Sequence, residues 1–210
     1  MPQATIVFVH GLWVNGMEMG LLRHRLLDHG YECVQYSYPS LSNTPFENAM
    51  DLNDCIATLK TATTVHFVGH SLGGIIIRHL FYHFPQQRPG RIVTLGTPHA
   101  GSRSAARLAR SIPGRWLLGR SKLHGLLGPL PPWPGTHQLG SLAGTRSLGL
   151  GLLVRDLPQP NDGTVAVAET RMDGMADHMT IPTSHTGMLC SRPAVRQIHQ
   201  FLQTGRFLQL

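Results

Sequence analysis

The stretch that most constrains the fold of this chain is residues 69–73, with the pattern Gly-x-Ser-x-Gly. Residues 64–68 before it form a short β-branched run that predicts a buried strand. Residues 71–84 after it, closed by Pro85, have the length and apolar density of a buried helix. The serine of such a tight turn takes a strained conformation, and a Cβ at either glycine would collide with a neighbouring element. Ser71 is therefore predicted to present its hydroxyl at a helix N-terminus, where backbone N–H groups favour a developing negative charge.

Four further motifs accompany this turn, which alone is short enough to arise by chance in a glycine-rich chain. They lie at residues 7–12 (VFVHGL), 95–102 (LGTPHAGS), 161–165 (NDGTV) and 184–187 (SHTG). Together the five motifs resemble those of the serine esterases and lipases of the α/β-hydrolase fold, above all the small bacterial lipases with a minimal version of that fold. They come in that family's order and span nearly the whole chain. The resemblance implies one α/β domain whose mostly parallel sheet carries helices on both faces, with a lid-like insertion.

The length of the chain, 210 residues, fits a single domain over residues 1–210. No apolar run approaches the ~18 residues of a membrane span, and the run at residues 6–9 is too short for a signal peptide. The cysteines, Cys33, Cys55 and Cys190, are odd in number and lack metal-binding spacing, which favours free core thiols in a reducing cytosol. We therefore expect a cytoplasmic protein.

The chain is strongly basic, with a formal net charge of +7 and a pI near 10.0. We do not expect a nucleic-acid partner, because no known binding motif accompanies the charge and most of the excess is arginine spread along the chain. No Asp or Glu lies between Asp54 and Asp156, whereas basic residues crowd one segment, at Arg103, Arg107, Arg110, Arg115, Arg120 and Lys122. A carboxylate that serves Ser71 must therefore come from near one end of the chain.

Alternating apolar segments predict the other elements of a parallel sheet with right-handed crossovers. Strands are predicted at residues 4–9, 31–38, 91–95, 138–144 and 179–181, and helices at residues 17–29, 46–62 and 194–202. Residues 150–154 compete with residues 138–144 for the same strand. The strands should deliver the motif residues to the carboxyl edge of the sheet, where open α/β sheets bind ligands.

Residues 102–134 interrupt this alternation with basic, leucine-rich and proline-rich stretches. Relatives carry a cap or lid at this position, so the resemblance implies that its apolar residues, among them Leu108 and Trp116, line an acyl pocket. Its arginine face would then meet an acidic substrate or, transiently, an anionic membrane surface. The alternative is an ordinary solvated helix over the core.

The resemblance also implies two backbone donors for an oxyanion. One is the N–H of Leu72, the residue after the serine, and the other is the N–H of Leu12, in the loop after the first strand. His10 is either a pocket residue or a structural packer, and residues 97–99 are either pocket residues or a structural turn. The pocket candidates outside the insertion are His10, Gly11, His70, Thr97 and His99.

The family's order is serine, then acid, then histidine. Asp162 is the favoured acid, because it lies in a loop 23 positions before His185 and so leaves room for a crossover and a strand. Asp156 is the reserve. The other acids after the serine are Glu169, Asp173 and Asp177, and the other histidines considered are His178 and His199. The start of the last strand or the terminal helix should carry Asp173, Asp177, His178 and His199 away from the serine.

With Ser71 as nucleophile, His185 as base and Asp162 as the acid that orients it, the resemblance implies a serine hydrolase that cleaves carboxylic esters through an acyl-enzyme. This chemistry needs no metal and no organic cofactor. The expected substrate is a small ester with an apolar acyl chain. Two alternatives stay open: a thioesterase or acyltransferase with the same triad, and a catalytically silent binding protein with the same fold.

Overall fold

Six strands form one sheet in the computed structural model, which describes residues 4–148 and 157–209. They are β1 (Thr5–Val9), β2 (Glu32–Tyr36), β3 (Val65–His70), β4 (Ile92–Leu95), β5 (Leu139–Gly144) and β6 (Asp177–Ile181). Their order across the sheet is β2-β1-β3-β4-β5-β6, and every neighbouring pair is parallel. The prediction of one α/β domain around a parallel sheet is confirmed.

The four inner strands are buried along their whole length, which is why their sequences are near-continuous runs of apolar and small residues. The edge strands β2 and β6 are more polar and partly exposed. Because all six strands run in one direction, their carboxyl ends meet at a single edge of the sheet. His10, Ser71 and Gly96 directly follow β1, β3 and β4 there, and His185 follows the end of β6 within a few residues.

Helices cover both faces of the sheet, as predicted. The described residues contain α1 (Gly20–Leu27), α2 (Pro45–Ala57), α3 (Leu72–His83), α4 (Arg103–Leu108), α5 (Ile112–Leu118) and α6 (Arg192–Thr204). Short 3-10 turns lie at Met17–Met19, Gly119–Lys122, Val167–Thr170 and Gly187–Cys190. α2 and α3 pack on one face of the sheet in one apolar cluster, and α1 and α6 pack on the other face in a second cluster.

Local side-chain signals explain where the longer helices start. α2 begins with a capping box, in which the Thr44 hydroxyl accepts from the Glu47 N–H while the Glu47 carboxylate accepts from the Thr44 N–H. At α6 the hydroxyl of Ser191 accepts from the N–H of Ala194. Gly205 then ends the helix with a φ of 77°, a conformation that favours glycine.

Several boundaries differ from the sequence-based expectation. The helix predicted at residues 17–29 is divided into a 3-10 turn and α1, and the helix predicted at residues 46–62 ends at Ala57. β6 starts at Asp177 rather than at residue 179, because an edge strand tolerates polar residues that hide its beginning in the sequence. β5 occupies the segment predicted at residues 138–144, and its competitor at residues 150–154 lies outside the described residues.

No helix in the described residues is long and apolar enough to cross a membrane. The three cysteines are unpaired. Cys33 and Cys55 are half-buried, but Cys190 is exposed, so the expectation of a core thiol is wrong at that position. The reason is that the 3-10 turn ending at Cys190 buries Met188 and Leu189 and leaves its last residue at the surface.

Candidate active site

Ser71 occupies the turn between β3 and α3 with a positive φ of 53°. Such a conformation costs a residue other than glycine about 1–3 kcal/mol, so the surrounding structure must maintain it. A Cβ at Gly73 would lie 2.1 Å from the carbonyl oxygen of Val9, and a Cβ at Gly69 would lie 2.7 Å from the nitrogen of Gly74. Only glycine fits at either position, and the turn is as tight as the motif predicts.

The end of β4 holds this turn from the side. The Ser71 N–H donates to the carbonyl of Leu95 over 2.9 Å, and the Thr97 hydroxyl donates to the carbonyl of Ser71 over 2.9 Å. No hydrogen bond of the Ser71 side chain is found within the described residues. These two bonds therefore hold the backbone of the serine and leave its hydroxyl available to a substrate.

A buried carboxylate and imidazole form a pair beside the serine. His185 Nδ1 lies 2.7 Å from Asp162 Oδ2, and the backbone N–H of His185 donates to the backbone carbonyl of Asp162 over 2.9 Å. The other carboxylate oxygen, Oδ1, accepts from the N–H groups of Thr164 and Val165. Asp162 is 1 % exposed. Backbone and side-chain bonds together hold the imidazole in one orientation.

Ser71 and His185 share one cavity of about 930 Å³. Its wall is mostly apolar, and the residues of α4 and α5 contribute to it together with the loops at the carboxyl edge of the sheet. The apolar residues of the wall are Leu12, Trp13, Val14, Pro98, Ala105, Leu108, Leu117, Leu118, Leu126, Leu148, Val165 and Leu189. The cavity thus places a hydroxyl and an imidazole at the edge of a space suited to an apolar chain.

Two backbone N–H groups beside the serine have no hydrogen-bond acceptor among residues 4–148 and 157–209. They belong to Leu12, in the loop after β1, and to Leu72, the first residue of α3. The loop lies against the serine: a Cβ at Gly11 would be 3.3 Å from Ser71 Cβ. These are the two N–H groups that the resemblance implies as oxyanion donors.

His70 lies next to His185 and lines the same cavity. Its Nε2 is 3.2 Å from the carbonyl oxygen of His185, and the two rings are 4.7 Å apart. Burial, followed by the neighbouring His185, lowers the pKa of His70 to about 3. His70 is therefore neutral at neutral pH and donates Nε2–H to a backbone carbonyl.

Of the predicted pocket residues, Gly11, His70 and Leu108 line the cavity, and four others do not. His10 is fully buried beneath the loop after β1. Thr97 is also fully buried, and its hydroxyl donates to the Ser71 carbonyl. His99 is buried against Thr94, 3.0 Å from its hydroxyl. The pocket role of these three residues is corrected in favour of the structural alternative given for each, since each polar side chain is engaged by the backbone or a neighbour instead of facing the cavity.

The fourth correction is Trp116, which is 80 % exposed. α5 turns Gly114 and Leu118 inward, and a residue two positions before Leu118 faces the opposite side of the helix. Leu117 and Leu118 line the cavity in its place. The neighbouring leucines were equally apolar in the sequence, but which face of such a short helix points inward depends on its packing and cannot be predicted from the sequence alone.

Trp13 is a cavity residue that the sequence reasoning missed, although an aromatic residue directly after the motif at residues 7–12 was a visible signal. Its indole Nε1–H donates to the carbonyl of Leu117 over 2.7 Å, and its backbone N–H donates to the hydroxyl of Ser40 over 3.2 Å. The loop that carries the Leu12 N–H is thereby tied to α5 of the insertion.

Four other candidate acids and histidines, Asp173, Asp177, His178 and His199, belong to or precede elements that carry them away from the carboxyl edge of the sheet. Asp177 and His178 begin β6, at the end of the strand opposite His185. His199 lies in α6, where its ring stacks on His29 with a centroid distance of 4.2 Å. Asp173 precedes β6. Asp156, the reserve acid, lies outside the described residues.

Burial shifts the acid–base behaviour of several histidines. Loss of hydration is the largest cause in each case, and it lowers the pKa to about 4 for His66, His79 and His178 and to about 3 for His70 and His99. Unfolding returns such a group to its ordinary pKa of about 6.5. Between these two values the unfolded chain binds more protons than the folded chain, so acid destabilises the fold.

For His99, which is 3 % exposed, we expect the His99→Gln variant to lose part of this acid sensitivity. In the wild type, His99 should lower the free energy of unfolding by about 2 kcal/mol when the pH falls from 7 to 5, because His99 takes up a proton in this range only in the unfolded state. Urea unfolding at both pH values measures the difference. His24→Gln, which removes an exposed histidine, is the control. An unchanged pH dependence in His99→Gln would contradict the prediction.

The parallel sheet with a serine in a strained turn after an inner strand, and a histidine in a loop at the same edge, is the architecture of the α/β hydrolases. The sequence agrees, because the profile of the alpha/beta hydrolase family matches residues 6–205. The chain belongs to this family. A search among curated protein sequences gave no match.

Solved structures of hydrolases are similar to this chain at low sequence identity. A lipase from Bacillus licheniformis in its mature form superposes with a TM-score of 0.74 and 21% identity, over 97% of this chain and 92% of the lipase. A metagenomic carboxyl esterase superposes with a TM-score of 0.64 and 20% identity, over 88% of this chain and 65% of the esterase. RedJ, the thioesterase from the prodiginine biosynthetic pathway in Streptomyces coelicolor, superposes with a TM-score of 0.62 and 15% identity, over 97% of this chain and 90% of RedJ.

Proposed function

We propose that the protein is a serine hydrolase that cleaves carboxylic esters through an acyl-enzyme, with Ser71 as nucleophile. The observation that carries the proposal is the buried Asp162–His185 pair, 2.7 Å apart, at the edge of the cavity that contains Ser71. A neutral serine is a poor nucleophile, and a base oriented by a third group activates it. In the neutral imidazole, Asp162 selects the tautomer with the proton on Nδ1, so Nε2 is the nitrogen that takes the serine proton.

The reaction would proceed in two halves. The Ser71 oxygen attacks the ester carbonyl while His185 Nε2 accepts its proton, and the N–H groups of Leu12 and Leu72 bind the oxyanion. His185 then gives the proton to the leaving alcohol, and the acyl group stays on Ser71. In the second half His185 takes a proton from water, the resulting hydroxide attacks the acyl-enzyme, and the proton returns to Ser71.

The composition of the cavity supports an apolar acyl group. α4, α5 and the segment after them contribute Leu108, Leu117, Leu118 and Leu126 to the wall, and this is the support for a cap role of the insertion at residues 102–134. In the proposed enzyme these side chains would contact the acyl chain and exclude water from the bond being cleaved.

Labelling with a fluorophosphonate tests the proposal, because the reagent reacts with an activated serine and forms a stable adduct. We expect one adduct, on Ser71, together with hydrolysis of p-nitrophenyl esters. Turnover of thioesters in preference to oxygen esters would replace the ester assignment with a thioesterase, the activity named for one similar structure. A folded protein that gives neither adduct nor turnover would be a binding protein with the same fold.

Narrowing the cavity should change the choice of acyl chain. In the Leu108→Trp variant we expect kcat/KM for p-nitrophenyl octanoate to fall about tenfold while that for the acetate changes less than about twofold. The indole would occupy part of the cavity that a long acyl chain needs, and steric overlap of this kind costs about 1–3 kcal/mol. Leu123→Trp is the matched control, because Leu123 is exposed and outside the cavity wall. Equal losses for both esters would show that Leu108 does not contact the acyl chain.

A further inference from the structure

His10 lies under the loop that carries one of the proposed oxyanion donors. It directly follows β1, has no exposed surface, and stacks on Tyr38 with ring centroids 4.0 Å apart and planes 8° from parallel. The Tyr38 hydroxyl also donates to the His10 carbonyl over 2.7 Å. The stacking holds the plane of the imidazole against Tyr38, and the hydrogen bond ties the His10 backbone to the same tyrosine.

The two ring nitrogens of His10 have partners of opposite kind. Nε2 lies 3.2 Å from the backbone nitrogen of Tyr38, which can only donate, so Nε2 is an acceptor. Nδ1 lies 2.8 Å from the carbonyl oxygen of Gly11, which can only accept, so Nδ1 carries the proton. Burial is the largest influence on the pKa of His10 and lowers it, which agrees with a neutral ring that has one proton to donate.

The acceptor of that proton belongs to the peptide group that carries the Leu12 N–H. Because a trans peptide is planar, the Gly11 carbonyl and the Leu12 N–H point in opposite directions from one rigid unit. A bond that draws the carbonyl toward His10 therefore turns the N–H away from His10. Leu12 lines the cavity that contains Ser71, and a Cβ at Gly11 would lie 3.3 Å from Ser71 Cβ, so this peptide unit adjoins both the cavity and the serine.

We propose that His10 is a positioning residue, whose Nδ1–H bond to the Gly11 carbonyl holds the Gly11–Leu12 peptide with the Leu12 N–H directed at the oxyanion. This inference rests on the proposed function, because it assigns a role within that reaction. Glycine tolerates a wide range of backbone angles, so the peptide after Gly11 needs a side chain to select one orientation. The selected orientation makes the donor ready before the charge develops.

Two substitutions at this position separate the two hydrogen bonds of the ring. His10→Asn places an amide N–H where Nδ1 was, and so keeps a donor for the Gly11 carbonyl while it loses the partner of the Tyr38 N–H. His10→Gln places its amide where Nε2 was, and so keeps an acceptor for Tyr38 while it loses the donor to Gly11. Both variants lose the aromatic ring, so their comparison cancels the loss of stacking.

We expect His10→Gln to lower kcat for a p-nitrophenyl ester about 10- to 100-fold, a part of the 10²- to 10³-fold typically lost with a whole oxyanion donor, with little change in KM. His10→Asn should recover at least about tenfold of that loss. A trifluoromethyl ketone analogue, which forms a tetrahedral adduct with Ser71, should lose affinity in His10→Gln by the same factor as kcat/KM. Thermal unfolding of both variants records stability separately.

Equal kcat values for the two variants, or losses that follow only their thermal stability, would overturn the positioning role. An unchanged affinity of His10→Gln for the trifluoromethyl ketone would overturn it as well. Fluorophosphonate labelling of the wild type keeps the two proposals apart. If the wild type is labelled and active but the two variants have equal kcat values, only the role of His10 is refuted. If the wild type shows neither label nor turnover, the proposed function is refuted, and the role of His10 with it.

Discussion

Replacement of Ser71 by alanine is expected to reduce ester turnover roughly 10⁴- to 10⁶-fold, because no acyl-enzyme can form. The oxyanion donors and the cavity would remain and account for the residual rate. Stability should change by less than about 0.5 kcal/mol, since the Ser71 hydroxyl makes no hydrogen bond within the described residues. Steady-state hydrolysis of a p-nitrophenyl ester measures the first effect, and urea unfolding measures the second.

Ser42→Ala is the matched control, because it removes an exposed loop hydroxyl that is not part of the cavity wall. Its turnover and its labelling by fluorophosphonate should equal those of the wild type. If Ser71→Ala kept more than about a tenth of the wild-type turnover, the nucleophile would have to be sought elsewhere. Loss of turnover with retained labelling at another serine would lead to the same conclusion.

Replacement of Asp162 by asparagine is expected to lower kcat roughly 10³- to 10⁴-fold with little change in KM. The reason lies in the contacts of the carboxylate. Oδ1 accepts from the N–H groups of Thr164 and Val165, so the asparagine oxygen should remain there and the amide nitrogen should face His185 Nδ1. His185 would then accept at Nδ1 and carry its proton on Nε2, where it cannot receive the proton of Ser71.

Asp177→Asn provides the control for this substitution. Asp177 also accepts from two backbone N–H groups, those of His178 and Phe207, but it lies at the far end of β6. We expect it to leave the kcat of the folded protein unchanged, whatever its effect on stability. A kcat for Asp162→Asn within about tenfold of the wild type, measured at matched folded fractions, would show that Asp162 does not control the tautomer of His185.

The sequence was sufficient for the sheet and for the positions of Ser71, Asp162 and His185 relative to it. Each of these residues lies in a local motif whose glycines or flanking strands restrict the backbone, so the motif and the geometry are closely linked. Because the strands are parallel, the loops that follow them meet at the carboxyl edge of the sheet, so no other sequence signal is needed to bring these residues together. The Asp162–His185 contact is the part of this arrangement that the structure shows directly.

The side chains of the cavity wall were much less predictable. Trp116 was expected inside and faces solvent, because the direction in which α5 faces depends on its packing rather than on its composition. His10, Thr97 and His99 were pocket candidates because they lie in the motifs, with a structural role as the alternative for each. Being close in sequence does not determine which atoms are exposed, and each of these polar side chains is engaged below the surface.

The hydrogen bond from the Trp13 indole to the Leu117 carbonyl links two properties that an engineer would wish to tune separately. Leu117 borders the space for the acyl group, while Trp13 follows the amide that would stabilise the transition state. Substitutions that shift α5 to admit a bulkier acid therefore also move that amide. Variants selected from this helix for a new chain length should consequently show altered turnover numbers even toward the smallest esters.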